Sequence, residues 1–257
     1  MEKLSGSVAI VTGASSGIGA ATAVHLAKLG ATVVCVARRA DRLAETAAAC
    51  AAAAPGSRSH VADVADREAC NAVVASTIED LGRVDILVNN AGIAHVGRPA
   101  DTKVEDIERV MAVNFFGPVY LATAALPHLL EQRRGSIINV TSVAGYVPNP
   151  REAPYGASKA ALSRWSHGLA VDLHGTGVHV GVLSPGPIRT EIWTDADGYK
   201  GKLYPPELVA AGVERMIRRR LVHLTVPRQY GLVGALYPLV GRPMRFGLRQ
   251  YGKHMDS

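Results

Sequence analysis

Cysteine is scarce in this chain, and uninterrupted apolar runs are missing from it. The 257 residues include three cysteines, Cys35, Cys50 and Cys70. They are odd in number, lack CxxC spacing and lie in apolar or Ala-rich segments, so they read as inert buried thiols and not as a disulfide framework or redox pair. The nine histidines form no HExxH arrangement and have no cysteine cluster beside them, and no metal is expected. Pro, Arg and Gly interrupt every apolar stretch short of the ~20 residues that cross a bilayer, which argues against an integral membrane protein. The start, Met1-Glu2-Lys3-Leu4-Ser5-Gly6, offers no charged-then-apolar leader, so the expected location is cytoplasmic. No Pro/Gly/Ser-rich stretch or long charge run divides the chain, and with 48% hydrophobic residues one domain over residues 1–257 is expected.

What is present is an alternation of short β-branched runs with longer Ala/Leu-rich stretches of helical period. Val8-Ala9-Ile10-Val11, the stretch Ile18 to Leu29 closed by Gly30, and Thr32-Val33-Val34-Cys35-Val36 make a βαβ unit. A helix from about Asp41, a strand at His60-Val61, a helix opened by Asp66 and the run Ile86-Leu87-Val88 follow. Then come a long helical stretch from about Val104 to Gln132, the strand Ser136 to Val140, a helix through Lys159 to His174, the strand Val178 to Leu183 and a last strand Leu224-Thr225-Val226. Runs this apolar, joined by crossover helices, belong to a parallel sheet covered on both faces. The expected fold class is α/β, a Rossmann-like doubly wound parallel sheet.

Thr12-Gly13-Ala14-Ser15-Ser16-Gly17-Ile18-Gly19 joins the first strand to the first helix. Glycines there let the backbone turn tightly and approach a pyrophosphate, and the helix N-terminus favours its charge. A purely structural turn would show the same glycines; the place in the first βαβ unit favours a dinucleotide. The spacing GxxxGxG also differs from the GxGxxG of many other dinucleotide folds. Tyr155 and Lys159 are four apart at the opening of a helix and share a face. A nearby ammonium favours the phenolate and would lower the phenol toward the operating pH, as a general acid or base requires. Ser142 ends the strand Ile137-Ile138-Asn139-Val140, on the sheet edge where ligands bind. Taken singly, Tyr155 could be a packed aromatic, Lys159 a solvated helix face and Ser142 a cap. Asn114 is a poor helix former inside a helical stretch, which points to a functional or kinking role.

The glycine motif, Asn89-Asn90-Ala91-Gly92, Asn114, Ser142, Tyr155-x-x-x-Lys159 and Pro185-Gly186 occur in an order that resembles the short-chain dehydrogenases/reductases over roughly residues 5 to 190. The resemblance implies that Tyr155 exchanges the substrate proton, that Lys159 holds the nicotinamide ribose and tunes Tyr155, that Ser142 positions the substrate oxygen, and that Asn114 holds a relay water. It also implies a cofactor groove containing Gly13, Ser15, Ser16, Gly17, Ile18, Gly19, Asn90, Ala91 and Gly92, with Asp63 and Val64 at the adenine. Pro185, Gly186, Ile188 and Thr190 would lie near the nicotinamide. The implied activity interconverts a carbonyl and an alcohol, residues 187–204 being the variable substrate loop. The rival class, a non-catalytic cofactor-binding regulator, would be expected to lose a proton-transfer residue, and none is missing. A nucleotide-sugar epimerase would need a longer substrate domain than this tail provides.

Ala37 stands where an acidic residue would bind the adenosine ribose hydroxyls and repel a 2′-phosphate, and Arg38 and Arg39 follow it. The expected cofactor is therefore NADP(H). Ala94, Val96, Val143, Ala144 and Tyr146, with Ile192, Trp193, Tyr199, Leu203 and Tyr204 of the loop, supply no charged anchor, so the expected substrate is a small lipophilic or aromatic ketone or alcohol. After Glu214, eight arginines and Lys253 face only Asp256, and the net charge of +6 is concentrated there. Arg218-Arg219-Arg220 reads as the solvated end of a helix. Residues 227–257 combine Leu232, Leu236, Leu239 and Val240 with Arg242, Arg245 and Arg249. That pattern suits packing on the body or a subunit interface in a homodimer or homotetramer, with peripheral contact to an anionic membrane as the alternative. Nucleic acid is not an expected partner, for want of a recognition motif.

Overall fold

The computed structural model describes residues 4–191 and 201–232. Ile192, Trp193, Tyr199 and the tail beyond Leu232 lie outside them. The order is β1 (Val8–Thr12), α1 (Gly17–Lys28), β2 (Thr32–Ala37), α2 (Ala40–Ala53), β3 (Arg58–Val61), α3 (Arg67–Leu81) and β4 (Ile86–Asn89). It continues with α4 (Val104–Met111), α5 (Gly117–Glu131), β5 (Gly135–Val140), α6 (Ala153–Asp172), β6 (Val178–Pro185), α7 (Pro206–Arg219) and β7 (His223–Val226). The seven strands form one sheet in the order β3-β2-β1-β4-β5-β6-β7, and all six pairings are parallel. The expected doubly wound sheet is what the chain forms.

Strand periodicity explains the three layers. Ala9 and Val11, Val33 and Cys35, Ile86 and Val88, and Ile138 turn to one face, against Leu26 of α1, Leu43 of α2 and Val213 of α7. Ile10, Val34 and Val36, Leu87 and Ile137 turn to the other, against Val73 of α3 and Leu121 and Leu129 of α5. Neither face of the inner strands meets water, which is why they read as continuous apolar runs. Each fully buried Leu or Ile contributes roughly 1.5–3 kcal/mol.

The helix ends follow the local chemistry. Asp66 caps α3, its carboxylate accepting from the N–H groups of Glu68 at 2.9 Å and Ala69 at 3.3 Å. Gly82 closes the same helix with φ 74°. Arg218-Arg219-Arg220 does end α7, but it is not wholly solvated: Arg218 Nε donates to Glu214 at 2.7 Å and Arg220 Nη2 to the Gly177 carbonyl at 2.8 Å. The stretch Val104–Glu131 is helical throughout, with mean hydropathy 1.4 in its most apolar 18-residue window. By length and composition alone it could cross a bilayer, contrary to the expectation that every such stretch is interrupted. Leu121, Ala122, Ala125 and Leu129 are instead buried in this core.

Candidate active site

The chain winds outward to β3 on one side of β1 and to β7 on the other, so the loops after β1 and β4 part and leave a crevice. Thr12 sets its floor: its Oγ1 accepts from the N–H groups of Asn90 and Ala91, both at 3.0 Å, and Asn90 Nδ2 donates to the Thr12 carbonyl at 2.9 Å. These bonds fix the glycine loop against the end of β4. Gly13 has φ 67°, and a Cβ there would stand 2.8 Å from Asn90 Nδ2 and 2.9 Å from Ala91 Cα, so no other residue fits. The cleft has a volume of about 660 Å³ and runs from Arg38, Arg39 and Asp63 to Ser142, Tyr155 and Lys159.

All the expected site residues line it except two. Gly19 is a packing glycine, since a Cβ there would meet the Gly13 carbonyl at 2.1 Å. Asn114 lies beneath the cleft, fully buried, in a π-helical segment, Ala112–Phe116, between α4 and α5. Its Oδ1 accepts from Ile93 N at 2.9 Å, and its Nδ2 donates to the Ile93 carbonyl and to Ser158 Oγ, each at 2.9 Å. The helix widens by a π turn at Asn114, and the hydrogen bonds to Ile93 tie it to the β4–α4 connection. A Cβ on Gly92 would stand 3.3 Å from both Asn114 Oδ1 and Lys159 Nζ, so both side chains approach the backbone at Gly92 and leave no room for a larger residue there.

Tyr155 and Lys159 share a face of α6. Lys159 Nζ donates to the Val140 carbonyl at 3.0 Å and lies 5.8 Å from the centre of the Tyr155 ring. Burial lowers the ammonium to about 8. The expectation that the cation lowers the phenol is corrected here. Desolvation pushes Tyr155 up to about 12; a hydrogen bond with Ser142 opposes this, and the Glu152 carboxylate reinforces it. Burial is the largest cause of that shift; Lys159 keeps its charge while bonded to the Val140 carbonyl. Ser142 also caps the turn that follows β5, its Oγ accepting from Ala144 N at 3.1 Å, so the cap and the site roles coexist.

At the other end, Arg38 Nη1 is 3.5 Å from Asp63 Oδ2. Arg39 Nη2 donates to Ser16 Oγ at 2.7 Å and Ser15 Oγ at 3.1 Å, and its Nη1 to Glu191 at 2.8 Å. Arg42 also pairs with Glu191. Of the apolar residues expected near the substrate, Ala94 and Val96 line the cleft. Tyr146 instead directs its hydroxyl to Thr225 of β7 at 3.2 Å.

A model of the short chain dehydrogenase family matches residues 7–199. The chain belongs to the short chain dehydrogenase family. The chain is 39% identical over 198 residues to a short chain dehydrogenase of Pseudocercospora fijiensis, covering 76% of this chain and 64% of that relative's length. It is 42% identical over 187 residues to a 2-(R)-hydroxypropyl-CoM dehydrogenase of Xanthobacter autotrophicus, covering 71% and 75% of the two chains. A crystal structure of a short chain dehydrogenase/reductase from Burkholderia phymatum in complex with NAD superposes with TM-score 0.88 at 26% identity, over 95% of this chain and 97% of that chain.

Three residues of the site escaped sequence reasoning. Glu191 and Arg42 join the cleft rim through a contact across 149 residues of chain, which no local pattern announces. Tyr230 packs its ring on Gly186, where a Cβ would meet it at 2.9 Å, and lies edge-on to Tyr204 at 6.5 Å. The base of the substrate loop is closed by paired backbone, Arg189 N donating to the Tyr204 carbonyl at 2.8 Å and Tyr204 N to that of Pro187 at 3.0 Å.

Proposed function

We propose that this oxidoreductase interconverts a small lipophilic or aromatic ketone and its alcohol with NADP(H), Tyr155 delivering the proton in reduction and taking it in oxidation. The observation that carries this reading is geometric: Tyr155, Ser142 and Lys159 come together at one end of a cleft that opens between β1 and β4, with Lys159 Nζ 5.8 Å from the Tyr155 ring centre. A neutral phenol is a donor, as carbonyl reduction requires. Ser142 hydrogen-bonds the substrate oxygen beside Tyr155. Lys159, anchored on Val140, holds positive charge under the site and offers a ribose contact. Asn114 anchors the floor on which a relay to Lys159 would run. Ile93, Ala94 and Val96 give the substrate side an uncharged wall.

The cofactor supplies or accepts the hydride. Its fit rests on the glycine loop, where Gly13 leaves no room for a Cβ, and on the N-terminus of α1 beside it. Gly13, Ser15, Ser16, Gly17 and Ile18 would hold the pyrophosphate, Asp63 and Val64 the adenine, Asn90, Ala91 and Gly92 the groove, and Pro185, Gly186, Ile188 and Thr190 the nicotinamide. Ala37, Arg38 and Arg39 favour a 2′-phosphate. A second reading, NAD(H), is favoured by the NAD in the Burkholderia phymatum structure and by the carboxylates of Asp63 and Glu191 already on the arginines. The ratio of kcat/KM for NADPH and NADH over a panel of ketones separates the two. Consumption of neither cofactor would leave the non-catalytic regulator as the better account.

A further inference from the structure

The arginines after β2 already carry an anion drawn from the far side of the cleft. Glu191, directly after Thr190, accepts from Arg39 Nη1 at 2.8 Å, from Arg42 Nη1 and from Ser16 Oγ at 3.4 Å. Arg39 Nη2 meanwhile donates to Ser15 and Ser16. Two guanidinium groups and two hydroxyls are the donor set that a phosphate monoester takes, with the planar forks gripping two oxygens each. A carboxylate on those forks has the charge sign and acceptor geometry of such a phosphate. The arginines hold it below the ordinary carboxylate value, Arg39 most, so it is an anion at neutral pH.

We propose that Glu191 is a cofactor-specificity residue, a resident carboxylate on Arg39 and Arg42 that a 2′-phosphate must displace and that therefore disfavours the phosphorylated cofactor. This rests on the reading of Arg38 and Arg39 as the 2′-phosphate subsite. With Asp63 on Arg38 and Glu191 between Arg39 and Arg42, the three arginines face two internal negative charges. The nominal attraction for phosphate is thereby largely spent inside the protein. Because the Glu191 side chain is 48% exposed, solvent screens the pair and the displacement costs little, so the effect is a moderate preference and not exclusion.

The test is calorimetric binding of two fragments, adenosine 2′,5′-bisphosphate and adenosine 5′-monophosphate, to the full-length protein. Glu191→Gln is expected to tighten the bisphosphate by about three- to tenfold and to leave the monophosphate within about twofold. In Arg39→Gln the same substitution should give a smaller gain, since its partner is gone. Bisphosphate binding that is unchanged or weakened by Glu191→Gln overturns the proposal. A native protein that does not prefer the bisphosphate, but gains that preference on Glu191→Gln, supports the proposal while removing the NADP(H) reading. No preference in either protein overturns both.

Discussion

At the catalytic end of the cleft the polar groups are buried and tied to backbone, whereas at the adenosine end they are exposed and tied to one another. Asn114, Ser158 and Lys159 are 0%, 0% and 3% exposed, and their partners include the carbonyls of Ile93, Tyr155 and Val140. The side chains of Arg38, Arg39, Arg42, Asp63 and Glu191 are all 42% exposed or more. Burial with a fixed partner gives position and displaced ionisation, at a cost in stability. Exposed ion pairs give neither, but they can be exchanged for a ligand's charge at little cost. On the proposed reading, one end does the chemistry and the other chooses the cofactor.

The contrast is broken most directly at Tyr155. Tyr155→Phe is expected to lower kcat by roughly 10²–10⁴-fold, the range for a lost general acid, while cofactor affinity by fluorescence titration stays within about twofold. Near-native turnover would remove the proton-transfer role.

The cost of burial is tested at Lys159. Its ammonium titrates near 8 in the fold against 10.5 for an ordinary lysine, so between those values the unfolded chain holds more protons and stability rises with pH. Below about pH 8 the fold carries the whole cost of the buried charge, on the order of 3 kcal/mol, offset in part by the bond to Val140. Lys159→Met is expected to stabilise the cofactor-free protein by about 2 kcal/mol at pH 7. The gain should shrink as pH rises through 8 and vanish near 10.5. Urea denaturation at pH 7 and 9.5 measures it, and a variant less stable than native at pH 7 contradicts the account.

The choosing end responds to charge. Replacing Ala37 with Asp and Arg38 with Leu adds repulsion and removes attraction, and should move the NADPH to NADH ratio of kcat/KM toward NADH by about ten- to hundredfold. A ratio that does not move would place the 2′-phosphate elsewhere.

The same contrast decides what could be read from the sequence. The doubly wound parallel sheet was legible because buried strands such as Ile10-Val11 and Val33-Val34 are apolar on both faces. The family motifs were legible because Tyr155 and Lys159, or Gly13 and Gly17, lie within one helical turn or one loop. The raised phenol of Tyr155 was not, because it depends on how closely protein surrounds the hydroxyl. Asn114 could be suspected from its poor helix propensity, but the π-helical segment that holds it needs the Ile93 backbone as partner. Glu191 on Arg39 was illegible for a plainer reason: exposed charges far apart in sequence pair by geometry alone, without a periodicity to mark them.

The smallest expected effect is also the one that separates the two ends under one perturbation. Salt screens exposed charges over about 10 Å at 0.1 M and about 3 Å at 1 M, and buried charges much less. Raising salt across that range should weaken binding of adenosine 2′,5′-bisphosphate by about three- to tenfold, and adenosine 5′-monophosphate by less, because only the former reaches Arg38 and Arg39. Screening also loosens Glu191 from the same arginines, which removes part of the competition and keeps the loss moderate. Single-turnover reduction at saturating cofactor should change by less than about twofold, since Lys159 and Asn114 are buried and their partners are backbone and hydroxyl groups that salt does not reach. A single-turnover rate that fell with salt as steeply as bisphosphate affinity would show that the catalytic end is as open to solvent as the rim, and the division between them would have to be withdrawn.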